Sequence, residues 1–115
     1  MLYMILIRAS VLSEQEKFPS LKLQKAMDDY NEALEKAGVK VMAKGLKPTQ
    51  NAIRFNYDEN SKISSALNGP FDPKESISGF FLFDVQSYEE AIEWAQKCPD
   101  PIGEGSGSIE LRELY

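Results

Sequence analysis

Residues 77–85 read Ile77-Ser78-Gly79-Phe80-Phe81-Leu82-Phe83-Asp84-Val85 (ISGFFLFDV). Strand alternation puts Ile77, Phe81, Phe83 and Val85 on one face and Phe80 and Leu82 on the other, so both faces are apolar. A strand of that kind wants cover on both sides. Residues 2–8 (LYMILIR) share the character, with Tyr3, Ile5 and Ile7 opposed to Leu2, Met4 and Leu6. These two strands set the frame, and the rest of the chain must supply their cover.

Two helices are the available cover. Between Leu21 and Ala37 the apolar residues Leu23, Met27, Tyr30, Leu34 and Ala37 recur in steps of four and three, one stripe of an amphipathic helix. Gly38 follows where a left-handed C-cap belongs. Ser87-Tyr88-Glu89-Glu90 has capping-box spacing and opens a second helix with the stripe Tyr88, Ala91, Ile92, Ala95 and Cys98. Pro99 and Pro101 forbid its continuation.

The remaining segments read as shorter pieces. Ser13 to Pro19 is a proline-broken loop with room for one helical turn, since Ser13 and Glu16 are spaced as a capping box. Val39, Val41 and Ala43 alternate with Lys40, Met42 and Lys44 as a half-exposed strand that Lys47-Pro48-Thr49 closes. Ile53, Phe55 and Tyr57, alternating with Arg54 and Asn56, read as its partner in a meander. After the turn Asp58-Glu59-Asn60, residues 62–67 return as a short strand. Residues 68–75 (NGPFDPKE) are a loop by composition. A Gly/Ser connector, 103–108, leads into a last strand over 109–115.

The order β-α-β-β-(β)-β-α-β predicts one α+β domain over residues 1–115. The expected architecture is a ferredoxin-like sandwich with two helices on one face of a mainly antiparallel sheet. Two helices cover only one face, and bare sheet of many hundreds of Å² is costly to leave wet. The expected resolution is a homodimer joined through the helix-free sheet face.

Composition removes several function classes. The 13 Lys and Arg against 18 Asp and Glu give a net charge of −5. With no basic stripe, nucleic acid is not an expected partner. The absence of histidine excludes His-based triads and metal triads. The single cysteine, Cys98, cannot close an internal disulfide or build a zinc cluster. No metal and no cofactor is therefore expected. The apolar N-terminus is shorter than the roughly 20 residues that span a bilayer and has no cleavage signal. The chain reads as cytoplasmic, with no membrane contact.

The loop 68–75 is the best candidate site. Asn68 tolerates positive φ, Gly69 frees the backbone and Pro70 fixes the next turn, so the corner can present Asn68, Lys74 and Glu75 to a cleft. Turn geometry with Phe71 as a core plug is the plainer reading. Arg8 ends one buried strand and Arg54 sits within another, and either guanidinium suits a carboxylate or phosphate. Both also suit solvated edges or structural ion pairs. Tyr30 is a core residue by its stripe, with a cleft-facing hydroxyl as the alternative. Asp28-Asp29 diverge by about 100° on a helix and make no metal site. Cys98 has no activating basic neighbour and no expected catalytic role. The segment 103–107 precedes a strand, not a helix, and so lacks the N-terminus that binds phosphate.

These segments resemble the YCII-related family of the DGPF type. Asn68-Gly69-Pro70-Phe71, then Lys74-Glu75 and Gly79-Phe80-Phe81-Leu82, resemble its DGPF loop and strand, with Asn in place of the motif's Asp. Residues 30–39 (YNEALEKAGV) look like its first helix and second-strand entry. Residues 44–49 (KGLKPT) look like its E-G-L-x-P-S turn, and 91–95 (AIEWA) with Cys98-Pro99 like its second helix and stop. The resemblance implies a dimeric α/β barrel of ferredoxin-like protomers. Some relatives carry a His–Asp pair, for which this chain has no histidine.

Three functions follow as expectations. One is a small-molecule-binding homodimer, with Arg8, Tyr30, Arg54, Asn68, Lys74 and Glu75 around a small polar or anionic ligand and no assignable reaction. Another is an enzyme that uses Lys, Glu, Tyr or Arg in place of a histidine dyad, with its catalytic residues unassigned. The third is a regulatory or interaction protein, since the resemblance extends to relatives encoded beside extracytoplasmic-function sigma factors.

Overall fold

A computed structural model describes residues 1–15, 20–103 and 105–115. Strand β1 (Leu2–Arg8), helix α1 (Val11–Glu14), helix α2 (Leu21–Lys36) and strand β2 (Lys40–Gly45) come first. The hairpin β3 (Ile53–Tyr57) and β4 (Ile63–Asn68) follows, then β5 (Ile77–Asp84), helix α3 (Tyr88–Lys97) and β6 (Ile109–Glu113). The architecture is α+β. Four strands form one open, antiparallel sheet in the order β2-β5-β1-β6, and β3-β4 stand apart as a second sheet of two strands. A single chain does not close a barrel.

The two apolar strands lie side by side at the centre, as their two-faced pattern requires. Tyr3 faces Phe83 and Ile5 faces Phe81 across the β1–β5 ladder. These side chains are buried with Val85 under Tyr30 and Leu34 of α2 and Ala91 of α3, and Trp94 packs beside them. Tyr30 meets Phe81 edge-on at 5.1 Å. On the opposite side of the sheet Met4, Leu6, Phe80 and Leu82 are only partly buried, and no helix among the described residues joins them in the core.

Each long helix starts on a serine. The Ser20 hydroxyl accepts from the Leu23 amide, and the Ser87 hydroxyl accepts from Glu90 N at 3.1 Å. The Glu90 carboxylate reaches back to the amide of Gln86, not that of Ser87, so the capping box closes one residue early. Gly38 leaves α2 at φ 72°, the left-handed stop its position predicts.

Four expectations need correction. There are three α-helices among the described residues, not two, because Ser10 caps a short α1 with Ser13 answering it. The expected Ser13–Glu16 box involves Glu16, which lies outside the described residues. The β2 alternation breaks at Val41: Lys40 pairs with Phe83 and Met42 with Leu82, so Val41 is an unpaired bulge residue and exposed. The expected β2–β3 meander is not formed among the described residues. β2 pairs with β5, and the turn Thr49–Asn51 after Pro48 turns the chain off the sheet, so among those residues β3 pairs with β4 alone. The connector at 103–107 is tied down by Asp100, whose carboxylate accepts from Ile102 N (2.9 Å) and Gly105 N (2.7 Å); its Glu104 lies outside the described residues.

Candidate functional site

One row of the sheet explains where the chain leaves space. On the helix side, the core row Ala43–Phe81–Ile5–Leu111 is followed by the row Gly45–Gly79–Ile7–Ile109. Two of those four residues have no side chain. Gly79 is needed there, because a Cβ would sit 2.8 Å from the Lys44 carbonyl oxygen. The paired glycines therefore leave the sheet floor bare where α2 begins, and a cleft of about 750 Å³ opens above it. That volume lies within the range of small-molecule sites.

Leu23 and Met27 of α2 form one wall, Leu12 of α1 another, and Ile102 closes the far side. Lys44 is the one charged residue among the described lining residues, but it is exposed and pairs with Phe80, so alternation turns its side chain toward the helix-free face. Asn31 lines the same wall. Its Nδ2 donates to the Met27 carbonyl at 3.1 Å, and its Oδ1 is buried without a partner.

The loop 68–75 gathers most of the residues singled out in the sequence, but beside the cleft. Arg8 donates through Nη2 to the Lys74 carbonyl. The Arg54 guanidinium lies 4.0 Å over the Phe71 ring. Asn68 ends β4 opposite Ile53, while Lys74 and Glu75 form an exposed turn. Neither arginine has an ion-pair partner among the described residues. Gly69 is required by contact: a Cβ would fall 1.7 Å from the Thr49 carbonyl oxygen.

The corner reaches the cleft through Thr49. Its hydroxyl accepts from Phe71 N at 2.8 Å and donates to the Glu14 carboxylate, which also accepts from Thr49 N. Loop 68–75 thus braces α1, and α1 walls the cleft. Tyr30 stands apart from both: its hydroxyl donates to the Trp94 carbonyl at 2.7 Å inside the core. Burial, and then the Cys98 thiol, pushes that phenol far above its ordinary pKa.

The sequence matches the YCII-related domain over residues 1–115. The chain belongs to the YCII-related family. It is also 33% identical over 70 residues to an uncharacterized protein of Rhizobium meliloti (strain 1021). That alignment covers 60% of this chain and 54% of the relative, so the match spans about half the relative's length. No reaction is assigned by either likeness.

Burial pushes the Cys98 thiol up to about 11, so it stays protonated at neutral pH and is a poor nucleophile. Among the described residues no three Cys, Asp or Glu side chains are grouped to hold a metal, and no helix is long and apolar enough to cross a membrane. Sequence reasoning missed Asn31. It was visible as the polar member of the i, i+4, i+8 series Leu23, Met27, Asn31 on the buried side of a helix.

Proposed function

We propose that the protein is a cytoplasmic homodimer of ferredoxin-like protomers, joined through the helix-free sheet face. In this reading each protomer binds a small polar organic ligand in the cleft between α2 and the sheet. The cleft above the Gly45–Gly79 pair carries it: a largely apolar chamber of about 750 Å³ with Asn31 Oδ1, buried without a partner among the described residues, on its wall. Such a chamber suits a ligand with an apolar body and one hydrogen-bond donor for that oxygen. The strand order β2-β5-β1-β6 and the two long helices on one side support the ferredoxin-like reading. The partly buried Met4, Leu6, Phe80 and Leu82 support a partner on the other.

The corner at 68–75 is a second proposed contact region, for an anion. Arg8 and Arg54 converge on it without ion-pair partners among the described residues. Asn68, Lys74 and Glu75 would be its other polar contacts. A thermal-shift screen of small polar organic compounds, acids included, separates the two sites. For the cleft, a hit should lose its effect in Gly45→Leu, whose side chain would rise from the cleft floor, and weaken in Asn31→Leu through loss of a hydrogen bond. It should persist in Arg8→Ala and Arg54→Ala. The reverse pattern moves the ligand to the corner. No hit across the library leaves the interaction-protein reading ahead.

A further inference from the structure

β3 and β4 form an arm, not a layer of the core. Every residue of β3 is exposed, and the arm is held mainly by its own ladder. An isolated two-stranded hairpin is marginal in water. The chain's radius of gyration is 16.1 Å, against about 13 Å for a compact chain near this length, and its longest extent is 46 Å.

The arm is also two-faced. Alternation puts Ile53, Phe55 and Tyr57 on one side, and the register adds Ala66 opposite Phe55 and Ile63 opposite Tyr57. Those large side chains are 52–66% exposed. The other side carries Arg54, Asn56 and Ser65, with Asn56 donating to the Ser65 hydroxyl, and one apolar residue, Leu67, opposite Arg54. Arg54 rests on Phe71 of its own chain, so the polar side turns inward to the loop corner and the apolar side turns away.

We propose that the apolar face of this arm docks on a second copy of the chain. The inference rests on the homodimer proposed above and adds a contact which that dimer does not require. The chain itself offers a counterpart at the rim of the proposed sheet-face seam: Val41 and Met42, at the β2 margin of the sheet, are exposed large apolar side chains. In a two-fold dimer each arm can cover the other copy's surface, so both are closed without leaving a free end. The sizes also agree. Four side chains of up to about 150–250 Å², each roughly half uncovered, offer on the order of 400 Å² per arm. Two arms and the surfaces beneath them reach on the order of 1,600 Å², the size of a stable specific interface.

Sedimentation equilibrium on the full chain tests this with Phe55→Asp, Tyr57→Asp and, as the polar-face control, Asn56→Asp. All three positions are exposed, and circular dichroism checks that each variant is folded. The expected result is a wild-type dimer whose dissociation constant rises tenfold or more in both arm variants and less than threefold in Asn56→Asp. A dimer equally tight in all four proteins overturns the arm contact and leaves the sheet-face dimer standing. Equal weakening by all three variants also overturns it, since added charge alone would then be responsible. A wild-type monomer overturns the dimer reading and the arm contact together.

Discussion

Single residues in this chain act mainly through the backbone they permit or tie down. Gly79 and Gly69 each admit a carbonyl where a Cβ would collide, one at the cleft floor and one at the 68–75 corner. Asp100 does the opposite, since its carboxylate gathers the amides of a loop that the sequence presents as a mere connector. The Ile102 amide first, and then those of Gly105, Gly103 and Gly107, hold its carboxyl below the usual carboxylate range. Its folded pKa is thus below the unfolded value of about 3.9. The stability it adds is complete above that value and is lost as pH falls through the folded pKa. Asp100→Asn should therefore lower Tm at pH 6, and the gap to wild type should close as the buffer is taken toward pH 3. A gap that stays constant or widens on acidification contradicts this role.

At the scale of elements, the periodic segments were legible and the turns between them were not. The stripe Leu23, Met27, Tyr30, Leu34 fixed a helix and its buried face, and residues 77–85 fixed a central strand, because period and side-chain size both pointed one way. The meander failed because strand pairing is a tertiary property: β3 has a good strand pattern whichever strand it joins. The corner 68–75 was legible as a rigid turn, but its use was not, since Thr49 and Glu14 are remote in sequence from Phe71. That brace makes a separate prediction. Thr49→Val removes the hydroxyl that links α1 to the corner and leaves Phe71 N without its acceptor. It should cost about 1–3 kcal/mol in urea unfolding. Hydrogen exchange of the residue 11–15 amides should also quicken, because α1 loses part of its hold. An unchanged midpoint and unchanged exchange would mean that α1 is held by other contacts.

For the whole molecule, the two surfaces of the sheet divide the proposed work. The helix side carries the core and, beyond it, the bare Gly45–Gly79 floor of the cleft. The other side carries partly buried apolar residues, and the β3–β4 arm carries exposed ones. That division was half visible in advance. Face counting of residues 2–8 and 77–85 announced an uncovered sheet face, whereas the cleft depends on two glycines meeting across β2 and β5, a register no single segment reveals. It also explains why the arginines drew attention first: charge is conspicuous in a sequence, and missing side chains are not. The most direct test of the cleft is amide chemical-shift mapping on isotope-labelled protein, titrated with a polar organic compound that raises its Tm. Shifts centred on the amides of Ile7, Met27, Asn31, 43–46 and 78–81 are the predicted result; shifts confined to 68–75, or spread without a centre, would contradict it.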